Sequence, residues 1–211
     1  MSQPTRRRLP VAAFLAAVAT AVVGLASPAA AANPVATLPI DYDVSATTTL
    51  ASLGQTVTTT GGSFVGAVTL YDDGTATIGG NMSLPPASQT LAIAGIPLAT
   101  ATFAVVPNGP VSGTVDLATM TATTTASFNI RITSVRPTIL PWLNLVGSRC
   151  TTAQPISVTM SGPISLAGGS SFSGSFTMPR LKDCGLLTPI LNLIVPGPGN
   201  TFSASFAPAA P

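Results

Sequence analysis

Over much of the chain apolar and polar residues alternate one by one, a period that a strand turns into one buried and one solvated face. Thr121 to Val135 shows it most fully. Ala122, Thr124, Ala126, Phe128, Ile130 and Ile132 share one face, and Thr121, Thr123, Thr125, Ser127, Asn129, Arg131 and Thr133 share the other. Earlier, Ile40, Tyr42 and Val44 alternate with Asp41 and Asp43, and Phe64, Gly66, Val68 and Leu70 make one face of a further strand. Val111, Val115 and Leu117 alternate with Ser112, Thr114 and Asp116. Ile156, Val158 and Met160, then Phe172, Phe176 and Met178, and last Phe202, Ala204 and Phe206 repeat the pattern against Ser and Thr.

Turn chemistry separates these runs. Asp72-Asp73-Gly74 is a strong hairpin signal, and Asn108-Gly109-Pro110 and Gly168-Gly169-Ser170 read in the same way. The expectation is an all-β domain of roughly nine antiparallel strands, either a β-sandwich or a closed β-barrel. Alternation fixes which residues share a face and leaves that choice open.

Two apolar segments do not alternate, Pro137 to Val146 and Gly185 to Val195. Each holds a Pro and a Leu-Asn-Leu, a likeness too short to establish an internal repeat. The second predicts one short helix near 185–195, stopped by Pro196-Gly197-Pro198-Gly199-Asn200. Trp142, the only tryptophan, suits either an interface with one dry and one wet side or a plug at one end of the core, and the core is the favoured expectation.

The N-terminus changes how the charge is read. Arg6-Arg7-Arg8, an uncharged stretch from Val11 to Ala26 and the small residues Ala30-Ala31-Ala32 form the pattern of a secretory signal peptide over 1–32. Cleavage near Ala32 leaves 33–211 as a single β-domain, either secreted or held at the cell surface. No later apolar run is long enough for a transmembrane helix. The arginines also loosely fit a twin-arginine signal, so the export route stays open. Beyond residue 32 five cations face six aspartates, a formal charge of −1, whereas the whole chain carries +2. Nucleic acid is a poor partner for such a surface.

Candidate chemistry is mostly excluded. The chain has no histidine, which removes Ser-His-Asp and Cys-His catalysis and imidazole metal sites. It has no phosphate-cradling glycine loop, and no Ser sits three residues before its single lysine, Lys182. Asp41 with Asp43 and Asp72 with Asp73 are the remaining carboxylate pairs. They read more simply as a solvated strand face and a turn. No cofactor or metal is implied, and the expectation is a non-enzyme.

Cys150 and Cys184 are the only cysteines, and in an exported chain they read as a disulfide. Such a bond would gather Arg149, Arg180 and Lys182 with Asp183. That cluster is either a basic patch for anionic head groups or cell-wall polymers, or simply an exposed Arg149–Asp183 ion pair.

Cys150-Thr151-Thr152, the block Cys184 to Asn192 and Gly197 to Thr201 together resemble a group of secreted actinobacterial β-domain proteins of uncharacterised activity. The likeness covers about the last quarter of the chain. It implies export and a β-domain with paired cysteines, and it implies no activity.

The expectation for function is a secreted or envelope binding domain. Leu140, Trp142, Leu143, Leu187, Ile190 and Leu191 would form the lip of a cleft for an apolar small molecule or envelope lipid. The plainer alternative is that both segments only cap the core. A structural or adhesive wall protein is the second class. A small outer-envelope barrel with apolar residues outward is the third.

Overall fold

The computed structural model describes residues 32–93, 96–165 and 168–209. The signal-peptide expectation therefore falls, up to Ala31, outside the described residues. The strands are β1 (Pro34–Leu50), β2 (Gln55–Tyr71), β3 (Ala76–Ser83), β4 (Ala87–Ile93), β5 (Ile96–Pro107), β6 (Val111–Asp116), β7 (Thr121–Pro137), β8 (Thr151–Thr152), β9 (Ile156–Pro163), β10 (Ser170–Met178), β11 (Leu181–Lys182) and β12 (Gly197–Pro208). Between β11 and β12 a 3-10 turn, Gly185–Leu187, leads into the helix α1 (Thr188–Ile194).

These strands close on themselves. The ladder runs β7-β6-β3-β2-β1-β12-β10-β9, and β9 then pairs with β7, from Thr121–Pro163 to Phe128–Ile156. Every pairing is antiparallel, so the fold is a closed eight-stranded up-and-down β-barrel rather than a sandwich. The remaining short strands extend it at one end. β5 pairs with the second half of β7 and β4 pairs with β5, so that β4 prolongs β3 and β5 prolongs β6. β8 and β11 likewise prolong β9 and β10.

The count is twelve strands where roughly nine were expected, because long strands are broken in the middle. Pro85-Pro86 interrupts β3 and β4, since proline offers no N–H to the ladder. Asn108-Gly109-Pro110 was read as a hairpin turn, and here the structure corrects the sequence. Pro107 pairs with Phe128 and Ser112 with Thr125, so the chain keeps its direction along β7 and bulges there instead of reversing.

The alternating residues sort as the pattern requires except Leu117, which is exposed because β6 ends at Asp116 and the chain turns there. Ile40, Tyr42, Val44, Phe64, Val68, Val115, Ala122, Ala126, Phe128, Val158, Met160, Phe172, Phe176, Phe202 and Ala204 are all buried in the barrel. Hydroxyls coat the outside. The registered partners Thr58–Thr47–Ser203–Ser173–Ser161–Thr123–Thr114–Thr77–Thr69 run once around all eight barrel strands without interruption. This polarity is the reverse of what lipid-facing strands need, which argues against a small outer-envelope barrel.

A barrel this narrow must bend its strands sharply, and inward-facing glycines mark the bends. A Cβ on Gly162 would collide with the Ser171 carbonyl oxygen of β10, and one on Gly174 with the Thr159 carbonyl of β9. Gly162→Ala is expected to cost about 1–3 kcal/mol, as overpacking usually does. Denaturant unfolding monitored by circular dichroism measures it, and an unchanged midpoint would show that the strands there can yield.

Exposed aspartates hold the turns at the end opposite β4 and β5. The Asn33 side chain and backbone N–H both donate to the Asp72 carboxylate, at 3.1 and 2.9 Å, and lower its pKa. The Thr75 hydroxyl and N–H do the same for Asp73, and the Thr119 and Ala118 N–H groups for Asp116. A carboxylate depressed in the folded state stabilises above its unfolded pKa, and that stability is lost as pH falls through the folded value. All six aspartates are exposed and histidine is absent. The melting midpoint should therefore stay flat between about pH 5 and 8 and fall below about pH 4. A transition near pH 6.5 in a thermal series would contradict this.

Candidate functional site

The end of the barrel that carries β4 and β5 does not close. β4 pairs only with β5, so no ladder joins it to β2. Among the described residues a single side-chain bond spans the gap, from Gln89 Nε2 to Gln55 Oε1 at 3.1 Å. On the other side the chain leaves β11 and returns as β12 by way of α1, which fills the space between them.

Inside this end lies a cavity of about 100 Å³. Phe128, Phe176 and Phe202 form its floor. Val57, Leu91, Ala101, Ile130, Ile132, Val135 and Met178 line its walls, and Leu50, Leu53, Leu181, Leu191 and Val195 lie toward the rim. Thr48, Gln55 and Gln89 are its polar lining residues, and among the described residues no ionisable side chain reaches it. A smaller void of about 40 Å³ lies in the other half of the barrel among Ile40, Tyr42, Phe64, Phe172 and Phe206. There Phe206 takes Tyr42, Phe64 and Phe172 edge-on, with ring centroids 5.5–6.2 Å apart, so aromatic packing fills that half more completely.

Three asparagines hold the rim, and the sequence reading assigned none of them a role. Asn144 Oδ1 accepts the Val135 N–H at 3.0 Å, and its Nδ2 donates to the Thr133 carbonyl at 3.2 Å. Asn192 treats Leu181 in the same way, accepting its N–H at 2.7 Å and donating to its carbonyl at 2.8 Å. Each carboxamide thus stands in for a missing strand at an exposed ladder edge, β7 for one and β11 for the other. The shared Leu-Asn-Leu is two solutions to one edge problem, and that short repeat was the signal available in the sequence. Asn200 is fully buried: Oδ1 accepts the Ala51 N–H at 3.0 Å, and Nδ2 donates to the Gly197 and Phe176 carbonyls at 2.7 and 3.3 Å. It ties the β1–β2 turn to the start of β12 and the end of β10.

The six lip residues divide. Leu191 is buried and lines the cavity, and Leu187 is half-buried against the core. Leu140, Leu143 and Ile190 are exposed. Trp142, expected in the core, is 75% exposed, which corrects that reading. The reason is local: Pro137 ends β7, and the chain turns outward through short 140→137 and 143→140 bonds before Leu145 returns to the Val135 carbonyl. The indole is left on the outside of that turn.

Cys150 and Cys184 are bonded and fully buried beside this rim. The bond suits an oxidising compartment. Arg149, Arg180 and Lys182 are exposed around it, as is Asp183. Buried Thr152 accepts the Ile130 N–H and bonds the Asn129 side chain, while Cys184, Asn192 and Asn200 hold the rim as described.

Asp41 and Asp43 sit on the outer face of β1, and Asp72 and Asp73 in the β2–β3 turn. Among the described residues no three His, Cys, Asp or Glu side chains come together as a metal site. Nor is any described helix long and apolar enough to cross a membrane. Comparison with protein-family models, curated proteins and solved structures finds no match to this chain.

Proposed function

We propose that the protein is an exported, non-catalytic barrel that shelters an apolar group of a small molecule or envelope lipid in its open end. The cavity carries the reading: about 100 Å³ of space lined almost wholly by carbon, beneath a rim with a gap between β2 and β4. An eight-stranded barrel has room for its own side chains or for one small ligand, and here one half is more fully packed than the other. Dry apolar cavities of about 150 Å³ accept a benzene ring, so this one suits a short hydrocarbon segment. The rest of a longer ligand would leave through the gap between β2 and β4, which requires the Gln89–Gln55 bond to open. Those amides can orient a neutral polar group, and no cation in the cavity is placed to hold a carboxylate.

Export is supported by the charged, apolar and small-residue zones of the first 32 residues and by the disulfide. The binding reading predicts saturable binding of a neutral short-chain alkanol at one site per chain, followed by the chemical shifts of the cavity methyl groups. Ala101, on a cavity wall in register with Gln89 and Val135, is the position to block. Ala101→Phe should weaken uptake at least about tenfold while the barrel's circular dichroism is kept, since the added ring occupies the ligand's space. Equal uptake by both proteins would place the alkanol outside the cavity.

A structural or adhesive wall protein is the second reading, favoured by the unbroken hydroxyl row around the barrel. Binding to purified cell wall that persists in Ala101→Phe, together with absent alkanol uptake, is its signature.

A further inference from the structure

The segment that roofs the cavity is apolar on both sides. Leu187, Leu191 and Val195 recur at helical spacing and turn inward. Leu186, Ile190 and Leu193 recur at the same spacing and turn outward, with Leu186 93% and Leu193 85% exposed. A helix that is apolar all round belongs in a protein core or against lipid, and this one lies at the surface.

A second apolar projection stands on the same rim. The Thr138 N–H and hydroxyl donate to the Leu98 and Pro97 carbonyls at 2.9 and 3.1 Å, which sets the turn after β7 beside the start of β5. Ile139, Trp142 and Leu143 therefore project from the same region as Ile96 and Leu98, all of them exposed. The Cys150–Cys184 bond, and Gly147 lying against the Asp183 carbonyl, join this segment to the one that leads into α1.

Charge sorts along the barrel to match. All five cations beyond residue 32 lie toward this end. Arg136 donates to the Pro141 carbonyl at 3.1 Å within the apolar turn, and Arg149, Arg180 and Lys182 flank the disulfide. Arg131 and Lys182 both register with Thr151, in one row across β7, β8 and β11. Asp41, Asp43, Asp72, Asp73 and Asp116 lie in the other half, and Asp183 is the one acid near the rim.

We infer that this rim docks on an anionic phospholipid bilayer. Trp142 and the outward face of α1 enter the boundary between head groups and acyl chains, and the cations meet the phosphates. A second copy of the chain is a poorer occupant, because a two-fold interface would set the same cations against each other. The docking needs only the rim, and it stands whether or not the cavity holds a ligand.

The test is vesicle flotation of the disulfide-bonded protein expressed from the full chain. It uses phosphatidylcholine vesicles with and without phosphatidylglycerol, and the emission of Trp142, the single tryptophan, reports insertion. The expected result is binding only when phosphatidylglycerol is present, with a blue-shifted emission. Salt at about 0.5 M should release it, because screening at that strength is nearly complete beyond a few ångströms. Arg149→Gln, Arg180→Gln and Lys182→Gln should each weaken binding about fivefold. Leu186→Ser with Leu193→Ser should weaken binding at least tenfold while the barrel's circular dichroism is kept. No flotation with anionic vesicles at low salt, or equal binding to both lipids, would overturn the inference. So would a reversible dimer that the two serine replacements dissolve while vesicle binding is absent. Ala101→Phe should still float, so failure of the cavity reading and failure of docking are separable.

Discussion

Replacing Cys150 and Cys184 by Ser is expected to lower the folding stability by about 3.5–4 kcal/mol, the loop-closure value for cysteines this far apart. The two residues are 34 positions apart and both fully buried, so the bond closes a long loop and fills core space. It also joins two pieces of chain with little else in common. One is the turn segment that ends with the Cys150 carbonyl accepting the Ile132 N–H; the other leads into α1. β8 and β11 are only two residues each and cannot hold that junction by their ladder alone. Denaturant unfolding of the double serine variant gives the number directly. The alkanol should also bind more weakly, because Leu191 and Val195 roof the cavity from the segment that the bond restrains. A loss below about 1 kcal/mol would mean that the unfolded chain is already compact around this loop.

Asn200→Ala is the second large effect. Its carboxamide makes three bonds to backbone groups at a site with no exposure, and every buried side-chain polar atom in the described residues has a partner. Truncation leaves the Ala51 N–H and two carbonyls facing a small void. One orphaned buried group costs about 1–3 kcal/mol, so the sum should reach about 2–4 kcal/mol. Asn200→Asp keeps the acceptor for Ala51 and sets a carboxylate oxygen against the Gly197 and Phe176 carbonyls. It should lose at least as much as the alanine variant. If the aspartate variant instead matched the wild type, the bond to Ala51 alone would account for the effect. The β1–β2 turn should loosen in both variants, seen as faster amide exchange at Ala51.

Much of the barrel was legible in residue alternation. Thr121 to Ile132 sorted onto the faces they occupy, and so did the strands around Tyr42, Phe64, Met160, Phe172 and Phe202. What alternation cannot carry is closure, because the pairings of β7 with β9 and of β1 with β12 join distant positions through backbone groups common to any sequence. β4 escaped notice because Ala87-Ser88-Gln89-Thr90 gives little contrast between faces. β8 and β11 are too short for any period to show.

The site was legible only in outline. The two non-alternating segments do mark the open end, yet Ile190 and Leu191 are neighbours that face opposite ways, and hydropathy scores them alike. For Trp142 the interface and the core plug were both open from sequence, and the favoured plug fails because Pro137 ends the strand beneath it and leaves the indole outside. The asparagines were missed because their partners are backbone groups, which leave no mark in the partner's side chain.

The measurement closest to the central claim is native mass spectrometry of the protein recovered from its own cells and medium, with an organic extract analysed beside it. An apolar ligand in the open end predicts a reproducible added mass that passes into the organic phase and is absent from Ala101→Phe made in the same host. A bare chain mass in every preparation, lighter than the reduced chain only by the two hydrogens of the Cys150–Cys184 bond, would contradict it.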